Sequence, residues 1–324
     1  MIDIFGKLIQ GAVLIVLAPV FIGAVNYLKA RGQGRSRDIG FILQPYRDLW
    51  KLFRQPAVRP GTSSWLFAIT PVIVFTAYAW LAFGVPVFLR DTLLKVDLIV
   101  LVYVLGLARF SLSLAGLDSG APFGGLGSSR EMFFHVLTEV GLVLVWAALA
   151  LKWNTIELNQ LVQNHDNYRI FLENPPLIFL ALAFGLLILL EAGLIPVDNP
   201  DTHLELTMGR KAIMLEFAGR DLALIEAAEM IKLLFLSTLF SQWFLPFINP
   251  GNWFHFQGVA GVFLYIIGFF FQVSMMAAVI SAWESVQPKL RLRKVYTLAW
   301  FSMLLSLLSI VYIIASPTAG GGKP

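Results

Sequence analysis

Long apolar runs separated by short polar stretches dominate this chain. A helix needs about 20 apolar residues to cross the hydrocarbon core of a membrane. Eight runs approach or exceed that length, at residues 4–28, 65–89, 96–117, 132–151, 176–194, 222–247, 259–283 and 295–315. They are too long and too continuously apolar for the strands of a membrane barrel. The pattern therefore predicts an all-α polytopic membrane protein with about eight transmembrane helices.

Composition agrees with this class and adds one exclusion. The chain has 324 residues, of which 58% are hydrophobic and only 14% charged, whereas soluble domains carry about 25% charged residues. We interpret residues 1–315 as a single transmembrane helical bundle and residues 316–324 as a flexible C-terminal tail. Cysteine is absent. Because iron–sulfur clusters depend mainly on thiolate ligands, redox centres of that kind are expected on partner subunits.

The distribution of Lys and Arg predicts the orientation in the membrane. Most of them lie in the first, third, fifth and seventh loops, and the other side has few. The positive-inside rule places such loops in the cytoplasm. We therefore expect a multi-pass protein of the cytoplasmic (inner) membrane, with both termini outside.

The first loop contains a candidate amphipathic helix. Tyr46, Leu49 and Trp50 alternate there with Arg47 and Lys51. Such a pattern is typical of a helix that lies in the membrane interface. Two interpretations remain open for it, a lipid-headgroup anchor and the floor of a cavity under a docked subunit.

An acidic loop between two apolar runs is the strongest functional signal. It reads LEAGLIPVDNPDTHLELT over residues 190–207 and continues as LEFAGRDLALIE over residues 215–226. A metal site would need three or four convergent ligands, so we prefer a docking or cavity-lining surface to a metal site. The predicted residues of this surface are Asp198, Asp201, His203, Glu205 and Glu216, with Asp118 and Arg130 from the third loop.

The third loop, GLDSGAPFGGLGSSREM over residues 116–132, is rich in glycine. It lacks the Gly-Lys-Ser/Thr ending of a phosphate-binding loop, and a membrane helix precedes it. We predict a tight, close-packed turn, with Arg130 and Glu131 opening the next helix.

Ionisable residues also fall inside the predicted spans, where an unpaired charge is costly and commonly functional. The predicted members of this ion path are Arg109, Glu131, His135, Glu139, Glu191, Glu226, Glu229 and Lys232. In the fourth and sixth spans they recur every three or four residues, so they share helix faces. A route for protons or other cations is favoured. The alternative is a static ion-pair network, such as Glu229 with Lys232, and His135 alone suggests a packed polar residue.

Three segments carry a family resemblance: GLDSGAPFGGLGSSREM, EAGLIPVDNPDTHLELT and LEFAGRDLALIE. The chain resembles the membrane subunit of group 4 nickel–iron hydrogenases of the formate hydrogenlyase or hydrogenase-4 type. That subunit is related to the quinone-site membrane subunit of respiratory complex I, the NADH dehydrogenase subunit 1 family. The complex I pattern in the fifth loop has Pro-Phe-Asp and three acidic positions. Here Pro196, Asp198, Asp201 and Glu205 match, and His203 replaces one acid, which favours the hydrogenase branch.

The resemblance implies a role as well as a fold. The chain would anchor the peripheral electron-transfer arm and couple its redox chemistry to proton or sodium translocation, without being catalytic alone. Implied partners are hydrogenase-like large and small subunits and iron–sulfur subunits on the cytoplasmic side, antiporter-like membrane subunits and the lipid bilayer, with no nucleic acid. Iron–sulfur clusters and the nickel–iron centre would lie on those partners, and no cofactor or metal on this chain. A quinone-binding complex I-like subunit is the alternative, and a stand-alone secondary transporter is a third hypothesis.

Overall fold

The computed structural model describes residues 2–87, 91–163, 174–193, 209–245, 259–286 and 292–315. Within these ranges the chain is helical, and the only strand-like pairing is a bridge between Asp97 and Glu157. The helices are α1 Ile2–Gly32, α2 Gln44–Arg54, α3 Trp65–Ala82, α4 Leu98–Asp118, α5 Pro122–Trp153, α6 Leu158–Gln163, α7 Pro175–Glu191, α8 Arg210–Met214, α9 Gly219–Phe244, α10 Val259–Val286 and α11 Leu292–Ala315. A 3-10 helix, Ile39–Leu43, precedes α2.

Each of the eight predicted spans falls on one of these helices. Among the described residues, six helices are long and apolar enough to cross a membrane: α1, α3, α4, α5, α10 and α11. The apolar helix α7 is shorter, with 17 residues. Helix α9 has 26 residues and carries Glu226, Glu229 and Lys232 among its apolar positions. The prediction of an all-α polytopic membrane protein is confirmed.

Helix α9 occupies the centre of the bundle. It packs against α1, α3, α7 and α10, while α4 pairs with α3 and α5, and α11 lies against α5 and α7. The core is aromatic as well as aliphatic, and Tyr78, Trp146, Phe184 and Trp243 are all at most 2% exposed. Buried aromatic side chains of this size contribute much of the packing in a helical bundle.

The glycine-rich segment forms a shorter turn than the sequence suggests. Helix α4 ends at Asp118 and α5 begins at Pro122, so the expectation that Arg130 and Glu131 open this helix is wrong. The glycines permit close backbone approach instead of breaking the helix. A Cβ added at Gly124 would lie 2.6 Å from the carbonyl oxygen of Gly116, and one added at Gly127 would lie 2.8 Å from that of Gly209.

The predicted amphipathic helix is present as α2. Leu49 is buried beneath it, whereas Trp50 is 61% exposed. The segment that follows α2 rests on the first turn of α9. Arg59 Nε donates to Asp221 Oδ2 at 2.8 Å. Gly219 has a φ of +56°, and a Cβ there would lie 2.2 Å from the carbonyl oxygen of Pro56.

Candidate functional site

Ionisable side chains from five helices converge in the interior of the bundle. We call this group the ionic cluster, and it consists of Arg109 on α4, Glu131 and His135 on α5, Glu191 on α7, Arg210 on α8, and Glu229 and Lys232 on α9. The most exposed side chain among them, that of Glu229, is only 17% exposed. The structure thus brings together most of the predicted ion path, whose members are distant in the sequence.

Arg210 joins two carboxylates of the cluster. Its Nε donates to Glu131 Oε1 at 2.8 Å, and its Nη1 donates to Glu229 Oε2 at 2.7 Å and to the backbone carbonyl of Glu191 at 2.8 Å. The forked guanidinium suits such multiple contacts. Burial opposes the charged form, but Glu229 and Glu131 hold the pKa of Arg210 well above its ordinary value. Gly209 makes room here, since a Cβ at that position would lie 2.9 Å from Glu131 Oε2.

Lys232 supplies a second cation to Glu229. Its Nζ lies 2.6 Å from Glu229 Oε2 and donates to the backbone carbonyl of Glu191 at 3.1 Å. The ammonium also lies 5.6 Å from the centre of the Tyr78 ring, a cation–π distance. The Glu229–Lys232 pair expected from the sequence is therefore present. It belongs to the larger cluster because Arg210 shares the same carboxylate oxygen.

Glu191 pairs with the third cation. Arg109 Nη1 lies 3.2 Å from Glu191 Oε1, and both side chains are at most 3% exposed. Thr138 donates its hydroxyl to the same oxygen at 2.6 Å. The other carboxylate oxygen, Oε2, has no hydrogen-bond partner among the described residues. A buried acceptor without a donor is costly.

His135 belongs to the cluster through its contact with Glu131. Its Nε2 lies 3.0 Å from Glu131 Oε1, the oxygen that also accepts from Arg210. Its Nδ1 is buried without a hydrogen-bond partner in the described part of the chain. A second histidine nitrogen normally has a partner that fixes the tautomer. Because Nε2 faces a carboxylate oxygen, which only accepts, the ring carries a proton on Nε2, and Nδ1 is left without a partner among the described residues.

Glu139 and Glu226 lie beside the cluster. The Glu139 carboxylate faces α4, where a Cβ added at Gly106 would lie 3.2 Å from Oε1, and it forms no ion pair with the described cluster members. Glu226 is half-buried on α9, within electrostatic reach of Asp48 on α2 and of Lys211 on α8. The predicted column on α5 therefore divides, with Glu131 and His135 in the cluster and Glu139 at its edge.

Two predicted docking residues have helix-capping contacts. Asp118 Oδ2 accepts hydrogen bonds from the backbone N–H of Ser64 at 2.8 Å and of Phe67 at 3.3 Å, at the start of α3. Glu216 Oε1 accepts from the backbone N–H of Gly124 at 3.1 Å, in the first turn of α5. Carboxylates at these positions complement the helix dipole.

Of the remaining predicted docking residues, only one lies within the described part of the chain. Arg130 is half-buried on α5. Four further predicted members, Asp198, Asp201, His203 and Glu205, lie outside the described residues. Their role as a docking surface stays a prediction.

The sequence interpretation missed Arg210 and Thr138 as members of the site. In the sequence, Arg210 contributes only to the basic bias of the odd-numbered loops. Its available signal was its position directly after the acidic loop and before the charged segment of α9. Thr138 gave no signal of its own, since hydroxyl side chains in spans commonly bond to the preceding turn of their own helix.

The carboxylates of the cluster are equal in number to its Arg and Lys side chains, and this balance limits its proton chemistry. Within the described residues, Glu131, Glu191 and Glu229 are offset by Arg109, Arg210 and Lys232. No group of three or more acidic and histidine side chains is placed to hold a metal ion there. A buried network with balanced charges can accept or release a single proton only with rearrangement, since an unbalanced charge is costly in the interior.

Comparison with known proteins identifies relatives along most of the chain. Hydrogenase-4 component C of Escherichia coli (strain K12) is 34% identical over 244 residues, covering 74% of this chain and 75% of that protein. Formate hydrogenlyase subunit 4 of the same strain is 28% identical, covering 95% of this chain and 98% of that protein. An NADH-quinone oxidoreductase subunit of Rubrobacter xylanophilus is 29% identical, covering 65% of this chain and 67% of that protein.

A solved structure and a family match extend this result. A chain of the membrane-bound sulfane sulfur reductase, an archaeal respiratory membrane complex, is similar with a TM-score of 0.75. It is 19% identical and covers 95% of this chain and 99% of that chain, which shows the shared fold. The family described as NADH dehydrogenase matches residues 7–315. From these matches, the chain belongs to the NADH dehydrogenase subunit 1 family, together with membrane subunits of hydrogenase-4 and formate hydrogenlyase.

Proposed function

We propose that this chain anchors the peripheral electron-transfer arm of a membrane-bound hydrogenase complex and couples its redox chemistry to proton or sodium translocation. The charge-balanced ionic cluster is the observation that carries this proposal. It joins α4, α5, α7, α8 and α9, so a charge change at one helix acts on all of them. Charges interact more strongly in a protein interior than in water, which makes the cluster suited to transmitting such a change.

Arg210 is the proposed point of control. It begins α8, directly after the acidic loop, and it holds both Glu131 and Glu229. A shift of α8 that withdraws Arg210 would leave these carboxylates with less positive charge. Each would then favour taking up a proton, because a buried unpaired carboxylate favours its neutral form. Lys232 and His135 are the ionisable groups that lie next to Glu229 and Glu131.

The partners follow from the same proposal. Hydrogenase-like large and small subunits and iron–sulfur subunits would bind the odd-numbered loops on the cytoplasmic side, and both termini would lie outside. Antiporter-like membrane subunits would complete the ion route. Iron–sulfur clusters and the nickel–iron centre would belong to the soluble partners, since this chain has no cysteine.

A second candidate function is a quinone-binding subunit of a complex I-like oxidoreductase. The similarity to a subunit of NADH-quinone oxidoreductase supports it. His203, in place of one acidic residue of the complex I pattern, favours the hydrogenase alternative. A stand-alone secondary transporter would have to work without the partner subunits that similar proteins have.

The test combines isolation of the complex with transport. We expect a nickel–iron subunit and iron–sulfur subunits to copurify with the chain, and hydrogen turnover in vesicles to drive ion uptake. A bound quinone and no nickel would support the complex I alternative. In complexes that assemble, Glu229→Gln should lose most ion uptake, because the amide keeps the shape of the side chain without its titratable charge. The matched control is Asp38→Asn, which removes an exposed carboxylate that precedes the 3-10 helix and makes no capping hydrogen bond. Unchanged uptake in Glu229→Gln would contradict the proposal.

A further inference from the structure

A groove of about 870 Å³ lies between the first turn of α4 and the last turns of α5. These two helices are antiparallel and are joined by the short turn at residues 119–121. The groove therefore opens at the membrane face opposite that turn, far from the end where Asp118 and Glu216 cap helices. It is separate from the ionic cluster, since none of its lining residues belongs to that cluster.

The walls of the groove are apolar along the helix axes. Ile99 and Val102 on α4 face Val143, Ala147 and Leu151 on α5. Ile99, Val143 and Leu151 are 56%, 40% and 51% exposed. The stretch from Val143 to Leu151 is about 12 Å long at 1.5 Å per residue. This surface matches part of one acyl chain in length and chemistry.

One part of the groove is acidic. Asp97 and Glu157 both line it, and no Lys or Arg does. Asp97 precedes the first residue of α4, yet its carboxylate makes no capping hydrogen bond. Within the described residues that carboxylate has no other hydrogen bond or ion pair. Glu157 accepts from Gln160 at 2.6 Å. Two partly desolvated carboxylates without a basic neighbour in the groove favour a cationic ligand group.

Backbone hydrogen bonds hold together the two segments that carry Asp97 and Glu157. Leu98 N–H donates to the carbonyl of Ile156 at 2.9 Å, and Leu158 N–H donates to that of Val96 at 3.0 Å. Asn154 ends α5 in the left-handed conformation, with a φ of 52°. The positions of Asp97 and Glu157 are thus set by the fold, as expected of a preformed binding site.

The wall of the groove also contains a hydrogen-bond donor without an acceptor, the indole N–H of a tryptophan. Trp146 lines the groove and is 2% exposed, and its indole N–H has no hydrogen-bond partner among the described residues. Buried tryptophan N–H groups usually find an acceptor. A ligand with an ester or phosphate oxygen near its polar end would supply one.

We propose that this groove binds a phospholipid with a primary ammonium headgroup, of the phosphatidylethanolamine class. The ammonium lies between Asp97 and Glu157, a headgroup or ester oxygen accepts from Trp146, and one acyl chain follows the apolar wall. This proposal is independent of the proposed coupling function, since it uses none of the cluster residues. A helix of a neighbouring subunit in the same groove is the competing outcome.

Photolabelling of the assembled complex tests the proposal. The complex is reconstituted in nanodiscs with a trace of diazirine-acyl phosphatidylethanolamine or of the matched phosphatidylcholine, and labelled peptides are mapped. We expect the ethanolamine lipid to label the peptides that contain Ile99 and Val143 several-fold more than the choline lipid. Asp97→Asn combined with Glu157→Gln should remove this preference. Asp48→Asn, far from the groove, should keep it.

A second variant guards against a folding defect. Ala147→Phe fills the apolar wall without changing charge, and it should reduce labelling by both lipids. Equal labelling by the two lipids in the unaltered complex would overturn the proposal. So would an unchanged preference in a correctly assembled Asp97→Asn, Glu157→Gln variant. Cross-linking of Ile99 and Val143 to a neighbouring subunit in place of lipid would also overturn it.

Discussion

Arg210 Nη1 donates a hydrogen bond to Glu229 Oε2 at 2.7 Å, between the first residue of α8 and the interior of α9. The contact links α8 to the buried carboxylates of the neighbouring helices. A second bond from the same guanidinium reaches Glu131 on α5 at 2.8 Å. The position of α8 and the charge of the cluster are therefore connected through one side chain.

We predict that Arg210→Gln strongly destabilises the complex, because it leaves Glu131 without a basic partner other than His135 and Glu229 with Lys232 alone. Breaking a buried ion pair on one side costs about 3–5 kcal/mol. Arg210→Lys keeps the charge but loses the forked geometry, and its stability should fall between those of Arg210→Gln and the unaltered protein. The measurement is the thermal midpoint of the detergent-solubilised complex. Arg220→Gln is the control, since Arg220 is exposed and its Nε donates to the Phe53 carbonyl at 3.3 Å. Equal losses at both positions would contradict the assigned role.

The Arg109–Glu191 pair predicts a non-additive double variant. Arg109→Met leaves a fully buried carboxylate without its closest cation, at a cost of about 3–5 kcal/mol. Adding Glu191→Gln removes that uncompensated charge and still allows Thr138 to donate to the amide oxygen. The double variant should therefore be more stable than Arg109→Met alone, as measured by unfolding in mixed detergent. Strict additivity of the two single changes would show that the residues do not interact.

Replacing Asp118 should lower the stability of the complex more than it weakens docking of the soluble arm. Asp118→Ala removes the acceptor for the first N–H groups of α3, and loss of such a cap costs about 1 kcal/mol. The thermal midpoint of the complex should fall, while the soluble arm remains bound to the folded fraction. Asp118→Asn, which retains an acceptor oxygen, is the matched control and should lose less. Release of the arm at unchanged stability would instead favour a direct docking role.

Docking is tested separately in the acidic loop. Reversing the charges of Asp198, Asp201 and Glu205 to Lys should release the soluble arm, because electrostatic complementarity guides such contacts. The membrane bundle should still insert and retain its thermal midpoint. Pull-down of the arm, with insertion checked by protease accessibility, provides the measurement. An arm that stays bound with unchanged affinity would place the docking surface elsewhere.

Gly219→Ala should detach the first loop from α9. The left-handed φ of +56° is unfavourable for alanine, and the added Cβ would lie 2.2 Å from the carbonyl oxygen of Pro56. We expect faster proteolysis between residues 55 and 63 and a lower thermal midpoint. Gly61→Ala is the control from the same loop, since a Cβ there meets no atom within 4 Å. Identical proteolysis of the two variants would contradict this account of the contact.

The class of the protein and the places of its helices could be predicted from the order of residues alone. Both follow from local properties, the length of apolar runs and the alternation that produces α2. Glu131, Glu191, Glu229 and Lys232 were also recognisable as unusual, because a charge within an apolar run is costly wherever the helix packs.

Which of these charges meet depends on the packing of the helices. Arg210 and Glu131 are 79 positions apart, and their contact requires that α8 pack against α5. The same packing turns Glu139 toward Gly106 and brings Thr138 to Glu191, although Thr138 and Glu139 are neighbours on one helix. Which ion pairs form depends on which faces of the helices meet. When every side of a helix is apolar, the sequence does not indicate which side faces a neighbouring helix.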